Sequence, residues 1–150
     1  MQSAGKGYKA GFVVLDGDRL ETTSSYTAQP GVNEARQLYE LVVRCGRLLD
    51  EHKPDRLSLL LTEGRTGLRT NQVPGLHGEG AVLAAAGERG VEPWWVASAT
   101  IRAETGTSGD GATARAVEEI AARYDTGLSA ETSSAVAVAV LAAAGRGRPG

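Results

Sequence analysis

Asp16 and Asp18 flank Gly17 directly after an apolar run, so two carboxylates sit close enough to hold a divalent cation. The same Asp-Gly-Asp is what a tight turn between strands needs, because Asp and Gly both accept turn geometry. Both readings stay open at this point. Glu131 opens an Ala/Val-rich stretch, where a first-turn acid is favoured by the helix dipole. The segment TGTSGDG, Thr105–Gly111, precedes a helical pattern, so its backbone N–H groups could cradle a phosphate. No Gly-Lys-Ser/Thr follows it, which excludes a Walker loop. Arg65 and Arg69, with His77, lie in a Gly-rich stretch, and the planar, permanently charged Arg fork suits phosphate oxygens. A solvated loop explains the same three residues. Ser133 and Ser134 have no His nearby to form a nucleophile pair. Trp94 and Trp95 are adjacent, so a strand sends them to opposite faces.

Several elements must position these groups. Lys9 to Leu15 (KAGFVVL) and Leu20 to Ala28 (LETTSSYTA) read as a hairpin around Gly17. Asn33 is an N-cap, and Leu38, Leu41, Val42, Cys45, Leu48 and Leu49 recur at helical spacing to about Glu51. Lys53-Pro54-Asp55 ends that helix. Leu57 to Leu61 (LSLLL) has the unbroken apolar character of a strand covered on both faces. Residues 62–79 read as a long irregular loop, followed by a small-residue helix from Gly80 to Arg89. Pro93 to Ala97 is a strand, and Ser98 to Thr105 is one helical turn or two. Ala112 to Tyr124 and Ser129 to Ala144 are helices, the second apolar nearly all round. Residues 1–7 and the tail from 145 to 150 read as flexible ends.

Composition narrows the classes. A chain of 150 residues suits a single domain, with an ordered core at about 9–145. The net charge of −2 argues against a polycationic nucleic-acid coat and leaves room for a local basic patch. The single Cys45 excludes an internal disulfide, and two His exclude the usual zinc sets. No apolar run reaches membrane-span length, and no signal peptide is visible at the start. The expectation is a cytoplasmic protein with no membrane contact and a buried, inert thiol.

The order β-β-α-β-α-β-α-α predicts an α/β fold, a mixed sheet with helices on both faces. Four segments carry a resemblance: KAGFVVLDGDRL; LLDEHKPDRLSLLL; VPGLHGEGAVLAAAGERGVEPWWVASATIRAETGTSGDGATA; and SAETSSAVAVAVLAA. In order and spacing, over residues 9–145, they resemble the RuvC-type Holliday-junction resolvases of the RNase H-like superfamily.

That resemblance implies four carboxylates around two divalent metals, Mg²⁺ or Mn²⁺, cutting a phosphodiester. The positions match poorly. The family's first Asp lies on a strand before KAGFVVL, where this sequence has no acid. The family's Glu at the strand after the Pro-Asp turn falls on Leu60, with Glu63 three residues on. In the closing helix one acid matches Glu131 and the next position is Ser134. The resemblance therefore implies a degenerate resolvase-like protein that recognises branched or structured DNA with impaired catalysis. Its DNA contacts would include Arg65, Arg69, His77, Ser108, Gly109, Gly111 and Arg115. An active metal-dependent structure-specific endonuclease is the alternative, with Asp16, Glu63 and Glu131 as catalytic groups and Asp16 and Glu131 as metal ligands. A third is a non-enzymatic interaction subunit whose protein partner supplies a missing strand. A truncated or misassigned start would explain the missing strand but not Leu60. The resemblance also suggests a homodimer through helix 80–89.

Overall fold

Local chemistry sets most element ends. In the computed structural model, which describes residues 9–29, 31–61 and 73–149, β1 (Lys9–Asp16) and β2 (Arg19–Thr27) form an antiparallel hairpin. Gly17 makes its turn at φ 61°, in the left-handed region that glycine enters without steric cost. Helix α1 (Glu34–His52) starts at Asn33, whose side chain accepts a bond from the Arg36 N–H at 2.9 Å. It stops where Lys53 turns left-handed and Pro54 bars continuation. Then follow β3 (Arg56–Leu60), α2 (Val73–Glu88), β4 (Glu92–Val96), α3 (Ser98–Thr105), α4 (Ala112–Ala122), α5 (Ala130–Ala143) and β5 (Arg148–Pro149).

Two elements differ from expectation. Helix α2 begins at Val73 and not at Gly80, so residues 73–79 of the expected loop are helical. Pro74 stands in the first turn, where its missing N–H costs nothing. The helical cost of Gly78 and Gly80 is offset downstream, where Ala81, Val82, Ala85 and Ala86 bury against Leu41, Cys45 and Leu49 of α1. Segment 98–105 is a helix of two turns, within the expected range, closed by Gly106 at φ 68° and anchored by the wholly buried Ile101. The C-terminal residues, expected as a flexible tail, include a strand, with β5 antiparallel to β4 at Trp94 and Trp95. The resulting order is β-β-α-β-α-β-α-α-α-β.

The mixed α/β character and the two helix layers are as expected. One apolar cluster joins α1, α2 and the hairpin through Leu41, Cys45, Ala85 and Tyr26. The other joins β4, α3, α4 and α5 through Val96, Ile101, Ile120, Ala137 and Leu141. Among the described residues the strands fall into two hydrogen-bonded groups. β1 pairs with β2, and β3, β4 and β5 form a separate sheet in which β3 and β4 run parallel.

Cys45 is buried, as its place on the apolar helix face predicts. Burial pushes its thiol up to about 11, against the opposing pull of Arg89. The unfolded chain releases that proton first, at an ordinary thiol pKa of about 8.5. Stability should therefore be fully present below that value and fall as pH rises toward 11. Urea midpoints measured across this range should fall with pH, and Cys45→Ala should flatten the fall.

Candidate functional site

The candidate acids are held by a hairpin and a helix that touch at one point. Gly11 of β1 lies against the start of α5: a Cβ there would sit 2.6 Å from the Glu131 carbonyl carbon and 2.6 Å from the Thr132 nitrogen. Only a glycine admits this approach. It fixes Glu131 in the first turn of α5, beside Ser129, whose side chain caps the helix by accepting from the Thr132 N–H. Asp16 stands at the far end of β1, paired across the hairpin with Arg19. At about 3.3 Å per residue, the five steps along the strand from Gly11 to Asp16 span roughly 16 Å. Asp16 and Glu131 are both exposed, and the fold does not bring them together.

This spacing bears on the metal that the resemblance implies. A shared Mg²⁺ takes oxygens at about 2.1 Å, so two carboxylates anchored ~16 Å apart do not fit one ion. Leu60 ends β3 and packs against the Ile101–Leu141 cluster, offering no oxygen. Among the described residues no three His, Cys, Asp or Glu side chains gather as a ligand set. Glu63, Arg65 and Arg69 lie outside the described residues. The described acids thus do not fit a two-metal centre, and no step of phosphodiester chemistry is derived through one.

The Gly-rich loop is better organised than its composition suggests. Gly106, Gly109 and Gly111 all take left-handed φ angles, which lets residues 106–111 turn sharply between α3 and α4. Arg115 reaches back from α4 and donates from its Nη2 to the Ser108 carbonyl at 2.7 Å, and from its Nη1 to the Asp110 carbonyl. Arg102 donates to the Thr113 hydroxyl at 2.9 Å, tying α3 to the first turn of α4. Helix α4 starts at Gly111 with no side-chain cap and no acid in its first turn. Ser108, Gly109, Gly111 and Arg115 are exposed together on this loop, with the Asp110 carboxylate among them. His77 lies elsewhere, its Nδ1 2.7 Å from Glu34 Oε1 at the start of α1.

Other charged groups escaped sequence reasoning because their partners are distant in the chain. Arg89 makes a forked pair with Asp50 at 2.8 and 3.2 Å, its guanidinium lying where Gly46 leaves α1 bare. That bond holds the Asp50 carboxyl below its ordinary range. Glu104 takes both Arg123 and Arg146. Arg56 stacks 4.3 Å from the Trp94 ring centre and donates to the Ala142 carbonyl. Trp94 packs against the core, as the strand reading implies, with its indole N–H buried beside Gly147 and without a partner among the described residues. Open grooves among the described residues include ones of about 550 and 470 Å³. The first lies between α1 and the end of α2, around Tyr39, Val43 and Arg47. The second lies beside the hairpin turn, around Asp18, Arg19 and Tyr124. Among the described residues no helix is long and apolar enough to cross a membrane.

No protein-family profile and no curated protein sequence matches this chain. Solved structures do. Thermus thermophilus RuvC matches with a TM-score of 0.68 at 20% identity, over 94% of this chain and 92% of that one. T. thermophilus RuvC in complex with a Holliday junction substrate matches with a TM-score of 0.66 at 18% identity, over 87% and 84% respectively. Two helix layers around the strands, the cradled start of α5 and these whole-length superpositions lead to one conclusion: the chain has the RuvC-type, RNase H-like fold.

Proposed function

We propose that this chain reads branched or structured DNA through backbone contacts and has lost the phosphodiester chemistry of the resolvases whose fold it shares. The observation that carries the reading is the roughly 16 Å of strand between Asp16 and the Gly11–Glu131 contact, with apolar Leu60 at the end of β3. The likeness to a protein captured with a junction substrate supports the DNA half. Loop 106–111 is the proposed contact, with Ser108, Gly109 and Gly111 offering backbone to a phosphate and Arg115 holding the loop in shape. Arg65 and Arg69 are proposed to add cations and His77 a further contact, and no metal cofactor is needed in this reading. A cytoplasmic setting is part of the same proposal.

Equilibrium binding to a labelled four-way junction and to linear duplex, across a salt series, tests this reading. Preferential junction binding that weakens steeply with salt is expected. Equal or salt-independent binding would favour the interaction-subunit reading. Metal-dependent cutting would restore the endonuclease reading with Asp16, Glu63 and Glu131.

A homodimer through residues 80–89 of α2 is proposed with a corrected face. Ala85 is fully buried against α1 and unavailable to a partner, because the small-residue face serves the fold's own core. Gly80, Ala84, Gly87 and Glu88 are the outward positions. Ala84→Glu should leave the fold intact and halve the apparent mass on elution, from dimer to monomer. An unchanged elution volume would remove this interface.

A further inference from the structure

Helices α1 and α2 lie side by side and run in the same direction. Near their starts His77 Nδ1 stands 2.7 Å from Glu34 Oε1, and near their ends Arg89 makes its forked bond to Asp50. Both rise by about 1.5 Å per residue. Tyr39 therefore stands roughly level with Gly80, Val43 with Ala84 and Arg47 with Glu88.

The outer side of this pair holds the large apolar side chains that stay exposed among the described residues, Tyr39 at 56% and Val43 at 39%. They stand four apart on α1 and share one face with Arg36. Arg36 lies over the Tyr39 ring, 5.2 Å from its centroid, so cation and ring present as one unit. Helix α2 has the opposite relief, since Gly80, Ala84 and Gly87 leave its exposed side nearly bare of side chains. The groove of about 550 Å³ runs between the two helices, from Tyr39 and Val43 to Glu51 and Glu88. Those two acids have only long contacts, 3.9 and 3.5 Å, to the residue next in sequence.

We propose that a second copy of this chain docks on this face, with α1 of each copy antiparallel across α2 of the other. A two-fold axis at the level between Tyr39 and Val43 makes every contact twice. It sets Tyr39 on Ala84 of the second copy, Val43 on its Gly80 and Arg36 against its Glu88. The bulky stripe of one copy then fills the bare stripe of the other. The spacing agrees, because Arg36 to Val43 spans roughly 10 Å of α1 and Gly80 to Glu88 roughly 12 Å of α2. The charges agree as well, since the acidic end of the groove meets Arg36. A nucleic-acid strand is a poor occupant of a groove that ends in Asp50, Glu51 and Glu88. The inference rests on the homodimer reading above and names α1 as the other half of its contact.

Sedimentation velocity over a wide range of concentration tests it on the full chain, as wild type, Arg36→Glu, Glu88→Arg and the double variant. The wild type should sediment at twice the chain mass. Either single substitution sets like charges together at both symmetric contacts and should weaken association at least about tenfold. The double variant restores the pair with its signs exchanged, and its association should return to within about threefold of wild type. Single variants that associate as tightly as wild type would overturn the pairing of α1 on α2 and leave a dimer through α2 standing. A double variant as weak as the singles would do the same. A wild type that stays monomeric throughout would overturn both this pairing and the homodimer reading.

Discussion

Gly11→Val should destabilise the protein by roughly 3 kcal/mol, a fall in Tm of about 6–12 °C for a chain of this size. A Cβ at position 11 would stand 2.6 Å from the carbonyl carbon of Glu131, where carbon–carbon contacts settle near 3.5–4.0 Å. The nearest atoms are backbone of the first turn of α5, so no flexible side chain can swing aside. Helix α5 must retreat by about 1 Å. That would strain its contacts with β1 and, further along, the packing of Ala137 and Leu141 against α4. Gly80→Ala offers a contrast of opposite sign. Position 80 is an exposed helical site with open space around it, and Ala there should raise stability by about 0.5–1 kcal/mol. Thermal melts of the pair check both. A Gly11→Val protein as stable as wild type would show that β1 and α5 are not in this contact.

Ile120→Ala should cost about 2–5 kcal/mol. Ile120 has no exposed surface and lies in the cluster that joins α4 to α3, α5 and β4. The substitution deletes several buried methyl and methylene groups, and the rigid small residues around the site, Ala116 and Ala137, cannot swing in to fill the space. The loss should appear in the urea midpoint at constant m-value. Because α4 also supplies Arg115 to the loop at 106–111, amide exchange in that loop should accelerate in the same variant. A loop unchanged in such a protein would separate the loop from the core that the account says supports it.

The sequence was most legible where structure is local. Asn33 caps α1 through a bond to Arg36, and the helix ends at Lys53 before Pro54, both read directly from residue types. The hairpin turn at Gly17 and the buried face of α1 are likewise local patterns. Helix α2 was cut short because glycines at 75, 78 and 80 lower helix propensity, whereas tertiary packing of Ala81 to Ala86 decides the outcome. β5 was invisible because its pairing with Trp94 and Trp95 spans over fifty residues and its residues, Arg148 and Pro149, are poor strand formers. For the site, the mismatch at Leu60 was plain in the sequence, but the separation of Asp16 from Glu131 needed the Gly11 contact to fix α5. Arg115 was read as a DNA contact from its place after the glycines, and its bonds to the Ser108 and Asp110 carbonyls give it a role in shaping the loop.

The central claim is a RuvC-type fold that keeps DNA recognition and lacks the metal chemistry. The most direct measurement incubates residues 1–150 with a labelled four-way junction, first in EDTA and then in Mg²⁺ or Mn²⁺, reading bound and cut DNA from the same samples. The account predicts a retained, salt-sensitive complex in every buffer and uncut strands throughout. Cutting that appears with the metal and disappears in Glu131→Gln would contradict it, because a working carboxylate set would then exist despite Leu60 and the distance between Asp16 and α5.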